Sequence, residues 1–199
     1  MLGALLVANP ATHDHATTTP SPWVERFLPG VPMGGEVLDV ACGRGRHLRF
    51  ALEAGYRVVG LDRDVSRVAD LAGRDGVELI EADLEDGSTF PLQGRRFAGV
   101  IVVNYLFRPR LSAIIGAVAD DGLLIYETFA LGHERFGKPS NPDYLLKPNE
   151  LIDAVTPDLV VVDYEYGILP KGPNFVQRIA ACGPRHPWAG SEPFDLGSP

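Results

Sequence analysis

The sequence predicts a doubly wound α/β domain: a seven-stranded sheet, mostly parallel with an antiparallel last strand, and helices on both faces. Three observations carry this. Strand and helix patterns alternate five times along the chain. The run Phe97–Val103 is nearly all apolar, as a central strand buried on both faces must be. The last two apolar runs are joined by a short turn containing Pro170 and Gly172, which makes them an antiparallel pair.

Each element has its own local signal. Ser21 is a candidate helix cap, with Pro22 at the first helical position before a short amphipathic helix, Trp23 to Leu28, closed by Pro29-Gly30. Gly34-Gly35 leads into a first strand at 36–41, followed by a helix at 45–54 that ends at Gly55. Tyr56 to Asp62 reads as the second strand. Asp64 to Ala72 reads as a capped helix with Gly73 after its last turn. A third strand, Val77 to Glu81, runs toward Asp83, and Phe97 to Val103 is the fourth. Pro109 opens a helix to about Val118, and Gly122 to Thr128 is the fifth strand. Residues 130–147 lack periodicity, as long functional loops do, and read as a lid. Leu146 to Ala154 is then helical, Leu159 to Tyr164 the sixth strand, and Asn174 to Cys182 the seventh.

Composition narrows the function. The 199 residues carry a formal net charge of −8, against a mainly electrostatic grip on nucleic acid or an anionic membrane. Cys42 and Cys182 make neither a disulfide framework nor a zinc spacing, so a reducing, cytoplasmic setting and no metal are expected. The apolar run at Leu2–Ala8 is too short to span a bilayer and lacks a basic flank. One domain at 21–183 is expected, between a flexible N-terminal tail (1–20) and a loose C-terminal tail (184–199), as a monomer or homodimer. His13 and His15 in that N-terminal tail read as solvated.

The residues that carry chemistry sit at the carboxyl ends of successive strands: Ala41–Gly45, Asp62, Asp83, and Asn104 with Tyr105. Val37–Gly45 is strand then glycine turn, and the helix that follows presents backbone N–H groups to a ligand. Gly43 or Gly45 permits the sharp turn, and the other leaves room for the ligand. Asp62 follows Gly43 by about twenty residues, the spacing at which an acid accepts from ribose hydroxyls. Asp83 is placed to accept from an adenine amine. The ligand is therefore an adenine nucleoside. A dinucleotide would want a third glycine where Leu48 stands, no phosphate-loop lysine pattern exists, and Asp39 suits a cation better than a pyrophosphate. S-adenosylmethionine satisfies all three conditions.

The segments VLDVACGRGRH (37–47), VVGLDRD (58–64), EADLED (81–86) and FAGVIVVNYLFRP (97–109) resemble motifs one to four of the class I S-adenosylmethionine-dependent methyltransferases, whose fold is Rossmann-like. NYLFRPRL (104–111) and YETFALGHERFGKPSNPDYLLKPNELI (126–152) resemble the small TehB-like, tellurite-resistance-type branch. The likeness spans about residues 22–182 and departs from the family pattern at Ala41, where the first glycine is usual.

That resemblance implies a donor site of Asp39, Ala41, Cys42, Gly43, Gly45, His47, Asp62, Arg63, Asp83, Leu84 and Asn104. Tyr105, Glu127 and His133 are the candidate catalytic residues. Thr128, Phe129, Arg135, Phe136 and Tyr144 are the candidates for holding a small-molecule acceptor. The acceptor atom is sulfur, oxygen, nitrogen or a metalloid oxyanion; Arg108, Arg110 and Arg135 either draw an anion or are simply solvated. The alternative is a non-catalytic protein that binds S-adenosylmethionine or S-adenosylhomocysteine. An NAD-dependent oxidoreductase is disfavoured by the missing third glycine.

Overall fold

The computed structural model describes residues 18–170 and 172–190. Seven strands form one sheet: β1 (Glu36–Val40), β2 (Arg57–Asp62), β3 (Val77–Glu81), β4 (Phe97–Val103), β5 (Val118–Phe129), β6 (Val160–Ile168) and β7 (Phe175–Cys182). Their order is β3-β2-β1-β4-β5-β7-β6. The first five pair in parallel, and β7 lies antiparallel between β5 and β6. The order reverses between β1 and β4, and this is where an open α/β sheet leaves a crevice at its carboxyl edge.

Alternation along β1 sorts the two cores. Leu38 and Val40 face the layer that contains α3 (Leu111–Ile115) and α4 (Glu150–Val155). Val37 faces α1 (Pro22–Phe27) and α2 (Arg46–Glu53), as do Ile101 and Val103 of β4. The period-2 pleat turns Asp39 to that second face, beneath α2.

Several elements differ from expectation. The 65–71 segment is 3-10 helix, and Val68 has φ −125°, so the expected continuous helix is broken there. The helix expected from Pro109 to Val118 is a 3-10 turn at Arg108–Arg110 and five α-helical residues, and Val118 already pairs with Phe97 at the start of β5. Pairing along β4 overrides the local helical pattern. α4 starts four residues later than expected because Leu146 bridges Ala130 and Pro148 disfavours helix in Lys147. Residues 184–190 are held rather than loose: Arg185 N–H donates to Asp120 O at 2.8 Å, and the His186 ring meets Gly30 O at 2.9 Å. The expectations for residues 1–17 and 191–199 lie outside the described residues. Among the described residues no helix is long and apolar enough to cross a membrane, and no group of His, Cys, Asp and Glu is arranged to hold a metal.

Candidate active site

A cavity of about 500 Å³ opens at the carboxyl ends of β1 to β5. Its donor-side wall contains Ala41, Asp62, Arg63, Asp83 and Leu84, and its other side contains Asn104, Tyr105, Thr128, Phe129 and Tyr144. Residues from five strand ends, up to about a hundred positions apart in the chain, thus meet on one space.

The glycine turn is left-handed at Ala41 (φ 55°), Gly43 (φ 56°) and Gly45 (φ 72°). Ala41 adopts a conformation that costs an L-residue roughly 1–2 kcal/mol, the physical consequence of its departure from glycine. At Gly45, in left-handed backbone as the turn requires, a Cβ would also lie 2.5 Å from Val68 Cγ1, so packing adds a second reason for glycine. A Cβ on Gly43 would meet only Ala41 O, at 4.0 Å, so this is the position that leaves open space.

Asp62 ties the turn to β2. Its Oδ2 accepts from the Gly43 N–H at 2.8 Å and its Oδ1 from the Asp64 N–H at 3.0 Å. Each carboxylate oxygen keeps a lone pair for a hydroxyl donor. Asp83 is exposed on the cavity wall, with Oδ1 accepting from the Glu85 N–H at 2.9 Å. Asp39 lies 2% exposed under the turn, its Oδ2 has no partner, and burial raises its pKa from 3.8 to about 8, with Arg46 opposing. A buried carboxyl without a counter-charge is costly.

Several candidates are engaged elsewhere. Cys42 is buried in the core, and burial pushes its thiol up, so it fills space instead of reacting. His47 is 4% exposed, and its Nε2 accepts from the Ser21 N–H at 3.2 Å. Burial, helped by Arg46, lowers its pKa to about 3, and it fixes the start of α1 as a neutral ring, away from the cavity wall. Glu127 is buried, its Oε1 accepting from Ser21 Oγ at 3.1 Å, with Arg178 at 3.5 Å from Oε2. His133 is 2% exposed, its Nδ1 accepts from the Phe175 N–H at 3.2 Å and its Nε2 meets Lys138 O at 3.1 Å. Both ring nitrogens are taken, so His133 has no site for a substrate proton. This corrects the expectation that Glu127 and His133 act as bases. Arg135 lies 5.9 Å over Phe136, and both are exposed outside the cavity wall. Arg108 and Arg110 donate to carbonyl oxygens, with Glu150 a further partner of Arg108, so they are not solvated anion traps.

Tyr105 is on the wall, but its hydroxyl is buried without a partner, and its pKa is raised by burial and then by Glu85. It is therefore a poor acid or base. Sequence reasoning missed Glu85, Arg67, Ala82, Leu106 and Pro139 on the wall. Ala82 and Glu85 flank Asp83 and were within reach of the strand-end argument; the others depend on how distant segments fold over the crevice.

Residues 37–120 match the family model for a methyltransferase domain. The match spans less than half of the chain. No curated protein matches it significantly. Its fold is shared with TehB from Haemophilus influenzae (18% identity, TM-score 0.60), of which the alignment covers 81% of this chain and 61% of that one. It is also similar to 1,6-didemethyltoxoflavin-N1-methyltransferase from Burkholderia thailandensis, solved with 1,6-didemethyltoxoflavin and S-adenosylhomocysteine (19%, TM-score 0.60, covering 84% and 78%). A third similar structure is a TehB-like S-adenosylmethionine-dependent methyltransferase from Corynebacterium glutamicum (18%, TM-score 0.57, covering 81% and 86%). At these identities the likeness is one of fold: the class I, Rossmann-like sheet.

The site fits S-adenosylmethionine on its own chemistry. The orphaned Asp39 oxygen calls for a cation, which the donor's ammonium would supply. Asp62 has capacity for ribose hydroxyls, and Asp83 for an adenine amine.

Proposed function

We propose that the protein transfers a methyl group from S-adenosylmethionine to a small, uncharged acceptor, in line with the bond being broken. The reading rests above all on the Asp62 carboxylate, which joins the glycine turn to β2 while facing the same cavity as Asp83. When bound, S-adenosylmethionine supplies a methyl carbon activated by its sulfonium. The protein's task is to hold the ribose through Asp62 and the adenine through Asp83 and Leu84, and to align the acceptor. Orientation of this kind supplies much of the rate in such displacements.

The chemistry of the wall supports the choice of acceptor. Thr128, Phe129, Pro139 and Tyr144 also line the cavity, and none of them is an acidic or basic residue of the Asp, Glu, Lys, Arg or His type. Arg108 and Arg110 are engaged with carbonyls and Glu150, and Arg135 lies outside the wall; the wall's own arginines, Arg63 and Arg67, follow β2 close behind Asp62 in the chain. With Glu127 and His133 held in internal bonds, the acceptor atom is one that needs no base, such as a neutral amine or ring nitrogen. The Burkholderia neighbour, an N1-methyltransferase holding a small acceptor beside S-adenosylhomocysteine, agrees with this choice. Segment 130–147, which contributes Pro139 and Tyr144, acts as the lid that keeps water from the reacting atoms. The free, buried Cys42 and Cys182 suit a reducing, cytoplasmic setting.

Calorimetric titration with S-adenosylmethionine and S-adenosylhomocysteine tests the donor. Wild type should bind both, and Asp62→Ala should bind them more weakly by about 1–3 kcal/mol. Folded wild-type protein that binds neither would end this reading. Transfer of a labelled methyl to a panel of neutral amines and azaheterocycles, set against selenite and tellurite, tests the acceptor class. Methylation of the oxyanions alone would refute it.

A further inference from the structure

The turn after β4 reads Arg108-Pro109-Arg110, and its two guanidiniums diverge. Arg110 Nε donates to Leu84 O at 2.8 Å, and its Nη2 donates to Ser88 O. Those carbonyls belong to the loop that bears Asp83 and Leu84. Arg108 points the other way. Its Nε and Nη2 donate to the two oxygens of Glu150 at 2.6 and 2.9 Å. Its Nη1 and Nη2 also donate to the carbonyls of Asp143 and Leu145 at 2.6 and 2.8 Å. Glu150 in turn accepts from the Lys147 N–H at 2.7 Å. The segment bearing Tyr144 is thereby held to the same turn.

A planar guanidinium with several donors in fixed directions suits such multi-carbonyl contacts, and a lysine does not. Pro109, with φ restricted, sits between the two. The acceptor segment also bridges Ala130 through Leu146, and the donor loop is bonded to β2 through the Ala82 N–H, which donates to Asp62 O at 2.9 Å; the Arg108–Arg110 turn is the point at which both walls meet the end of one central strand. We propose that the Arg108–Arg110 turn is a positioning element of the methyl-transfer site: Arg110 sets the donor loop at Asp83 and Leu84, and Arg108 sets the acceptor segment at Tyr144. Both walls then share a support at the end of β4, in addition to the bonds that tie them to β2, β5 and β7, and a displacement of about 1 Å at either would be felt in the alignment of the reacting groups. The proposal rests on the methyltransferase reading above for its function, but the tie itself is testable without ligand.

The experiment pairs amide hydrogen exchange on the free protein with titration by S-adenosylhomocysteine, for wild type, Arg110→Ala, Arg108→Ala and the two Lys variants. In Arg110→Ala, exchange should quicken at Glu85 and Ser88, whose N–H groups donate to Asp83 and Asp86, and leave Leu145 and Lys147 unchanged. Its affinity for S-adenosylhomocysteine should fall about tenfold, the effect of losing charge-assisted hydrogen bonds behind the donor loop. In Arg108→Ala, exchange should quicken at Leu145 and Lys147, with donor affinity kept within about twofold. Lys keeps the charge without the fork, so each Lys variant should fall between wild type and Ala. If an Ala variant does not fold, its Lys partner carries the test.

Arg110→Ala with wild-type donor affinity, or both loops loosening equally in either variant, would overturn the proposal. So would full rescue by Lys, which would reduce the role to charge. Wild type that fails to bind S-adenosylhomocysteine would sink the functional reading instead, while the exchange pattern would still decide the tie.

Discussion

Replacing Asp39 by Asn should make the protein more stable and a poorer binder of the methyl donor. The carboxyl is 2% exposed, accepts from the Leu48 backbone, and has one oxygen without a partner. Its pKa is raised from 3.8 to about 8, chiefly by burial. Between those two values the folded state keeps a proton that the unfolded chain has released. Stability therefore falls as pH rises through the window from about 4 to 8, and the loss stays constant above it. At about 1.4 kcal/mol per pH unit, the accumulated loss by pH 8 is on the order of 5 kcal/mol. An asparagine has nearly the same shape, still accepts from Leu48, and does not ionise. Urea denaturation of both proteins at pH 5, 6.5 and 8 should show an advantage for the Asp39→Asn variant that is smallest at the first pH and grows by about 1.4 kcal/mol per pH unit toward the last. Calorimetry with S-adenosylmethionine should show weakened binding, because an ammonium entering the site loses the buried counter-charge. A stability difference that does not grow with pH, or donor affinity equal to wild type, would refute the reasoning.

The neutral His47 ring has the opposite sign. Its pKa is lowered from 6.5 to about 3 by burial and by Arg46, so the unfolded chain takes up the proton first and stability is lost as pH falls from 6.5 toward 3. His47→Gln should flatten that acid-side decline, by about 1.4 kcal/mol per unit, in urea midpoints between pH 4.5 and 6.5. An unchanged slope would place the acid sensitivity elsewhere. Gly45→Ala puts a Cβ 2.5 Å from Val68 Cγ1 in left-handed backbone and should cost roughly 2–4 kcal/mol in thermal or urea unfolding. Ala41→Gly should relieve strain and, after the added freedom of the unfolded chain, raise stability by about 0.5 kcal/mol with donor binding retained. A destabilised Ala41→Gly variant would mean that the alanine methyl contributes packing worth more than the strain.

The strand-end acids and the glycine turn were legible because their signals are local. An apolar run, a turn residue with positive φ and the acid that follows a strand all act within a few positions, and they placed Asp62 and Asp83 on the cavity wall. The β6–β7 hairpin was legible for the same reason, from its turn residues. Val118 was misplaced in a helix because its pairing with Phe97 is not visible in its own neighbourhood. The same limit applied to the side chains beside the reacting centre. Whether Glu127 is a base depends on Ser21, 106 positions earlier, and on Arg178, 51 positions later; His133 depends on Phe175, 42 positions later. Arg108 and Arg110 look like free cations until the carbonyls of two other loops come within their reach. The sequence by itself determined the βα units and the strand-end acids that line the cavity, since these follow from backbone period and turn chemistry. Only the tertiary structure decided which polar groups stay available to a substrate, because a side chain's role is set by the partners that folding brings to it from far along the chain.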